Sequence, residues 1–177
     1  STIRLTPPVE SRSYIDLTVK ALADFGVCVR WQDDNTLVIP GNQSYTAKEI
    51  TVEGDYSNAA FFSALGDTVT VTGLDGTSLQ GDRVYIEYFE ALKKGTPTLS
   101  LANCPDLGPI LFALAGMHNG ARFTDTARLR IKESDRAACM AEELEKFGIQ
   151  SEVYENEVII HPVKLMPPCE TLYGHND

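Results

Sequence analysis

The sequence predicts an α/β (α+β) fold built from repeated βαβαββ units, and three observations carry that prediction. Residues 1–41, "STIRLTPPVESRSYIDLTVKALADFGVCVRWQDDNTLVIPG", read as strand, loop, helix, strand, turn, strand. Residues 120–162, "GARFTDTARLRIKESDRAACMAEELEKFGIQSEVYENEVIIHP", read in the same order, and self-similarity of this kind marks a repeated supersecondary unit. Both helices end in Phe-Gly, at Phe25-Gly26 and Phe147-Gly148, the glycine stop of a helix C-terminus.

Taken in order, the first helix is amphipathic, with Ile15, Val19, Leu22 and Phe25 at i, i+4, i+7 and i+10. A hairpin with a polar Asp33-Asp34-Asn35 turn follows it. The segments 57–66 ("SNAAFFSALG") and 107–116 ("LGPILFALAG") are apolar nearly all round, which predicts buried helices. Between them, residues 67–101 read as a shorter copy: a strand over "DTVTVTGL", a helix ending at Gly95 and one short strand. The last helix repeats the first, with Ala137, Met140, Leu144 and Phe147 on one face, and its hairpin turns at Glu155-Asn156. Each unit then has an apolar first helix and a charged second one, and the first and last copies read as parts of modules, so the chain is expected to be a piece of something larger.

The chain has 177 residues, 43% hydrophobic and 23% charged, with a formal net charge of -10. That acidic balance argues against nucleic acid as a partner, since such binding needs a basic footprint. The longest apolar run has buried-helix length, so no membrane association is expected. Cys28, Cys104, Cys139 and Cys169 are scattered and read as reduced, mostly buried thiols in a cytoplasmic protein. His118, His161 and His175 show no ligand spacing, so no metal is expected.

The helix entrances are polar. They read Ser11-Arg12-Ser13, Asp55-Tyr56-Ser57, Ser78-Leu79-Gln80-Gly81-Asp82, Cys104-Pro105-Asp106 and Lys132-Glu133-Ser134-Asp135-Arg136. Ser57, Ser134 and Asp106 read first as helix caps, and Asp135 as a first-turn carboxylate favoured by the dipole. Lys132 and Arg136 do not fit that account, because a cation at a helix start opposes the dipole. Either a solvated salt-bridge cluster offsets them, or they hold an anion; several helix starts facing one cleft would make a phosphate or carboxylate site.

"LRIKESDRAACMAEELEKFG", "ESRSYIDLTVKALADFGV", "VEGDYSNAAFFSA" and "CPDLGPILFALA" together resemble the signature segments of the 5-enolpyruvylshikimate-3-phosphate synthases. The terminal "HND" resembles the start of that family's Asn-Asp-His-Arg motif. The resemblance implies the family's inside-out barrel of βαβαββ units, with residues 1–52 the tail of one domain and 53–177 most of the second. It implies transfer of the enolpyruvyl group of phosphoenolpyruvate to the 5-hydroxyl of shikimate 3-phosphate, with phosphate released and no cofactor. Asp106 then matches the aspartate that holds the attacking hydroxyl and takes its proton, and Glu133 the glutamate that protonates the methylene. Ser11, Tyr14 and Lys132 match residues on the shikimate 3-phosphate side, and Arg136 an arginine that grips phosphoenolpyruvate, or glyphosate in inhibited enzymes. At position 128, where many members carry a substrate-binding asparagine, this sequence has Arg128. The remainder of the polypeptide is the expected partner, and the isolated chain is expected to be inactive. A phospholigand-binding or interaction module, and a nucleotide-sugar enolpyruvyl transferase, are the alternative readings.

Overall fold

The computed structural model describes residues 1–176; Asp177, the last residue of the "HND" segment, lies outside them. The chain opens with β1 (Thr2–Arg4), α1 (Arg12–Asp24), β2 (Arg30–Asp33) and β3 (Thr36–Val38). The three strands form one antiparallel sheet in the order β1-β3-β2. Residues 39–55 have no regular structure and lead to α2 (Tyr56–Ser63), then α3 (Tyr85–Lys94). The order strand, helix, strand, helix, strand, strand follows over β4 (Thr98–Ser100), α4 (Gly108–Met117), β5 (Ala121–Thr124), α5 (Arg136–Glu145), β6 (Ser151–Val153) and β7 (Glu157–Ile160).

The second sheet has the order β4-β5-β7-β6. β4 and β5 are parallel, which their connection through α4 requires, and the other two pairs are antiparallel. α4 is apolar all round and buries Leu111, Phe112, Leu114 and Ala115. It lies against α3, α5, β5 and β7, and Phe112 packs on Phe123 of β5 with ring centroids 4.8 Å apart and the rings tilted by 59°. Gly116 permits the approach of the chain after α5: a Cβ there would sit 2.6 Å from the Ile149 side chain.

Both Phe-Gly stops close their helices in the same way. Gly26 (φ +84°) and Gly148 (φ +83°) take the left-handed conformation. Val27 N–H donates to Leu22 O at 2.9 Å, and Ile149 N–H to Leu144 O at 3.1 Å, the backbone pattern of a Schellman stop.

Three local expectations are overturned. The strand over "DTVTVTGL" is a 3-10 turn (Gly66–Thr68) followed by residues outside any ladder; Val71 and Leu74 pack on the core instead of pairing with a strand. The caps of α2 and α5 are not Ser57 and Ser134 but Asp55, which accepts from the N–H of Ser57 and Asn58, and Asp135, which accepts from Ala138 N–H. Asp106 caps nothing: it lies inside a 3-10 turn, Pro105–Leu107, and its carboxylate faces other side chains. The expectation of mostly buried thiols fails as well: of the four free cysteines only Cys104 is buried, while Cys28 and Cys169 are exposed. No helix among the described residues is long and apolar enough to cross a membrane.

Candidate active site

The entrance to α5 is shaped by a buried anchor. Leu129 is fully buried in the 3-10 turn Ala127–Ile131. It rests on Gly108 at the start of α4, where an added Cβ would come within 3.2 Å of it. This contact sets the β5–α5 loop beside the β4–α4 loop. Lys132 Nζ then lies 3.1 Å from Asp106 Oδ1, and Arg136 Nη1 lies 2.8 Å from the same oxygen. The second guanidinium nitrogen, Nη2, donates to Glu133 Oε2 at 2.9 Å. Arg136 is the least exposed of the four, at 17%, and Glu133 the most, at 63%.

From the other side, the first turn of α1 brings Tyr14, whose hydroxyl donates to Asp106 Oδ2 at 2.8 Å and lies 3.2 Å from Asp82 Oδ2. α1 is tied to the β4–α4 loop by its backbone: Ser11 N–H donates to Ala102 O at 2.7 Å and Arg12 N–H to Asn103 Oδ1 at 3.0 Å. Ser11 stands just before that helix with φ +54° and makes no capping hydrogen bond through its side chain. Five of the six residues predicted from sequence, namely Tyr14, Asp106, Lys132, Glu133 and Arg136, thus form one connected polar cluster. Ser11 joins it through the backbone of its helix entrance.

Electrostatics follow from this packing. Burial pushes the Asp106 carboxyl up, but hydrogen bonds from Tyr14 and Lys132 and the charges of Lys132 and Arg136 outweigh it and hold the group below the usual aspartate value. Burial pushes the Tyr14 phenol far above its ordinary range, aided by the charge of Asp82 and the hydrogen bond to Asp106. The charges of Lys132 and Arg136 are matched here by Asp106 and Glu133, so the salt-bridge cluster expected from spacing exists. An anion entering the site has to compete with those carboxylates for the guanidinium fork.

Two cavities meet at Asp106. One, of about 510 Å³, is lined by Asp106, Lys132, Glu133 and Arg136, by Ser57 and Asn58 at the start of α2, and by Tyr173 and His175. The other, of about 330 Å³, runs between Tyr14, Asp55, Asp82 and Asp106. Sequence reasoning placed Asp82 at a polar helix entrance but gave it no role of its own, and it missed His175 as part of this surface. Asp82 had a usable signal, a carboxylate after glycine at a helix entrance. His175 had none, because its partner Glu143 (Nε2–Oε1 2.8 Å) lies 32 residues away. His175, Glu142 and Glu143 bring three possible ligand atoms within 4.8 Å of one another, but Glu143 already pairs with Lys146 at 2.7 Å, a charge that opposes a cation.

Fold and cavities together define a mixed α/β protein that gathers cations and carboxylates at the entrances of several helices. The chain belongs to the EPSP synthase (3-phosphoshikimate 1-carboxyvinyltransferase) family, whose pattern it matches over residues 1–172. It is 38% identical to the 3-phosphoshikimate 1-carboxyvinyltransferase of Clostridium kluyveri, covering 91% of this chain and 42% of that one. With the protein of the same name from Clostridium botulinum (strain Eklund 17B) it shares 34% identity over 100% of this chain and 46% of the other. The chain therefore spans less than half the length of these curated relatives. The solved EPSP synthase of Acinetobacter baumannii superposes with a TM-score of 0.67 at 21% identity, covering 91% of this chain and 43% of that structure; at that identity the likeness is one of fold.

Proposed function

We propose that this chain supplies the C-terminal-side part of a 3-phosphoshikimate 1-carboxyvinyltransferase, acting on shikimate 3-phosphate and phosphoenolpyruvate together with the remainder of its polypeptide. The observation that carries the reading is the Asp106–Lys132–Arg136–Glu133 cluster at the wall of the larger cavity, with two acids and two cations within hydrogen-bond reach. Division into residues 1–52 and 53–177, as tail of one domain and most of another, suits the two separate sheets and the irregular stretch between them. Repeated βαβαββ units closing into an inside-out barrel would extend the order seen in residues 98–160.

The chemistry asks for one base, one acid and fixed positive charge. Asp106, kept anionic, takes the proton of the 5-hydroxyl as that oxygen adds to C2 of phosphoenolpyruvate. Glu133 gives a proton to C3, completing a tetrahedral intermediate. The methyl group then returns a proton, the C2–phosphate bond breaks, and phosphate leaves toward Lys132 and Arg136. The arginine fork has a second effect. When the carboxylate or phosphate of phosphoenolpyruvate takes Arg136, Asp106 loses one of the cations that hold its carboxyl down and gains proton affinity. Substrate binding thereby makes Asp106 a better base at the moment the hydroxyl is in place. Ser11, Tyr14 and Lys132 serve the shikimate 3-phosphate side. No step calls for a cofactor.

The test is phosphate release from phosphoenolpyruvate by the full-length polypeptide, which must depend on shikimate 3-phosphate. Asp106→Asn is expected to lower kcat by roughly 10²–10⁴-fold with little change in KM, the usual worth of a positioned base. Arg136→Lys should instead raise KM for phosphoenolpyruvate, because a point charge cannot replace the fork. Residues 1–177 alone should give no turnover. Phosphate release by the full-length protein that ignores shikimate 3-phosphate would sink the reading.

A further inference from the structure

Asp82 is a buried carboxylate that the cluster's ion pairs do not account for. It is 4% exposed, and its Oδ1 has no hydrogen-bond partner among the described residues. A buried, unpaired carboxylate oxygen is costly to folding, so its persistence calls for a reason. Its placement is rigid. Gly81 presses on the β4–α4 loop so closely that a Cβ would lie 1.9 Å from Asn103 O. Gln80 beside it accepts from Tyr56 N–H at 2.8 Å and donates to Gly54 O at 2.9 Å. The 80–82 turn is thereby clamped between the entrances of α1, α2 and α4, with Asp82 Oδ2 at the Tyr14 hydroxyl.

The phenol has one proton and faces two carboxylates. With Asp106 anionic, the shorter 2.8 Å contact takes that proton. Once Asp106 has accepted a proton from a hydroxyl, it no longer needs the phenol as donor, and the phenol proton can turn to Asp82, 3.2 Å away. No proton is lost or gained in that turn; the Tyr14 O–H bond stays intact and only its acceptor changes. The proton-bearing state of Asp106 is then stabilised, against Lys132 and Arg136, which favour the anion.

We propose that Asp82 is a positioning residue which acts through Tyr14 to raise the basicity of Asp106. This rests on the transferase reading only in calling the accepted proton that of the substrate hydroxyl. The groups facing Asp82 are Tyr14 from α1, Cys104 and Asp106 from the β4–α4 loop, and Asp55 from the α2 entrance. Lys132 and Arg136 pair with the far oxygen of Asp106, Oδ1. Burial, with the charges of Asp106 and Asp55, pushes Asp82 up to about 6 against the hydrogen bond from Tyr14. Asp82 therefore changes charge in a range where the effect can be read.

The experiment uses the full-length protein and the Asp82→Asn variant, which keeps shape and removes charge. Expected are a kcat about 10-fold lower at unchanged KM, and an acid limb of the pH–rate profile moved to lower pH, since a weaker base protonates later on acidification. In a Tyr14→Phe background the same substitution should cost less than about threefold, because the two side chains act as a unit. Equal losses in both backgrounds, or an acid limb that does not move, overturn the proposal. Should Asp82→Asn fail to fold, carbon-13 carboxyl NMR on the unaltered protein decides. The Asp106 signal must show a second inflection as Asp82 titrates near 6, and a single inflection overturns the coupling. A second inflection in a protein without transferase activity supports the coupling and removes the transferase reading, so the two failures are distinguishable.

Discussion

Residues 1–38 and residues 121–160 run through the same order of strand, helix and hairpin, with helices closed by the same Phe-Gly stop, yet they are held in place by different forces. α5 buries Ala137 and Leu144 against α4 and β6. α1, with the same apolar spacing, buries no residue at all. What fastens α1 is polar: Trp31 Nε1 donates to Asp16 at 2.7 Å, the Arg12 guanidinium sits 4.0 Å over the Trp31 ring, and Tyr14 reaches Asp106. The difference shows that an apolar stripe specifies a helix and its inward face but not the depth of burial, which depends on what lies opposite. α1 has one three-stranded sheet and a loop as neighbours, whereas α5 has a wholly apolar helix.

The sharpest test of that contrast is a pair of truncations. Phe112→Ala in α4 should cost about 3–5 kcal/mol, the usual loss for a fully buried phenylalanine, whereas Ile15→Ala in α1 should cost less, about 1–2 kcal/mol, because that side chain is only partly buried. Urea unfolding of both variants checks it, and equal losses would break the comparison. Next in size is Gly81→Ala, which must push the 80–82 turn off Asn103. Overpacking of this kind costs about 1–3 kcal/mol. It should also let the Tyr14 phenol ionise at lower pH as Asp82 withdraws, a change visible in the ultraviolet titration of the tyrosines. The smallest effect concerns the segment after β7. Glu143 holds it to α5 by accepting from Tyr173 N–H and pairing with His175, and Lys146 reaches Thr171 O. The hydrogen bond from Lys146, with those from His175 and Tyr173 and despite burial, lowers Glu143 from an ordinary 4.5 to about 2. A depressed acid stabilises above its ordinary value and loses that contribution as pH falls. The protection factor of the Tyr173 amide, the exchange rate of the unstructured chain relative to its own at the same pH, should therefore fall as pH drops from about 4.5 to 2, while α4 stays protected.

Much of this was legible without coordinates. The helices, their glycine stops and the two hairpins follow from spacing and turn chemistry that act within a few residues. The charged entrance of α5 was legible as well, because two cations against a helix dipole are a local contradiction that asks for a partner. The caps were misassigned for an equally local reason: Asp and Ser stand within two residues of each other at both entrances, and only the backbone turn decides which reaches the free N–H groups. The strand expected near Val69 failed because alternation predicts an extended chain but cannot supply the neighbouring edge a strand requires.

The sequence by itself determined the helices with their glycine stops, the two hairpins and the family to which the chain belongs, since each rests on short-range pattern and motif. Only the tertiary structure decided that Lys132 and Arg136 share one oxygen of Asp106, that Tyr14 lies between two carboxylates and that Asp82 is buried beside them. Those facts join residues 26 to 92 positions apart in the chain, where the outcome depends on how closely Gly81 and Gly108 let neighbouring segments approach. Packing at van der Waals distance is a property of the assembled core, and no window of sequence contains it.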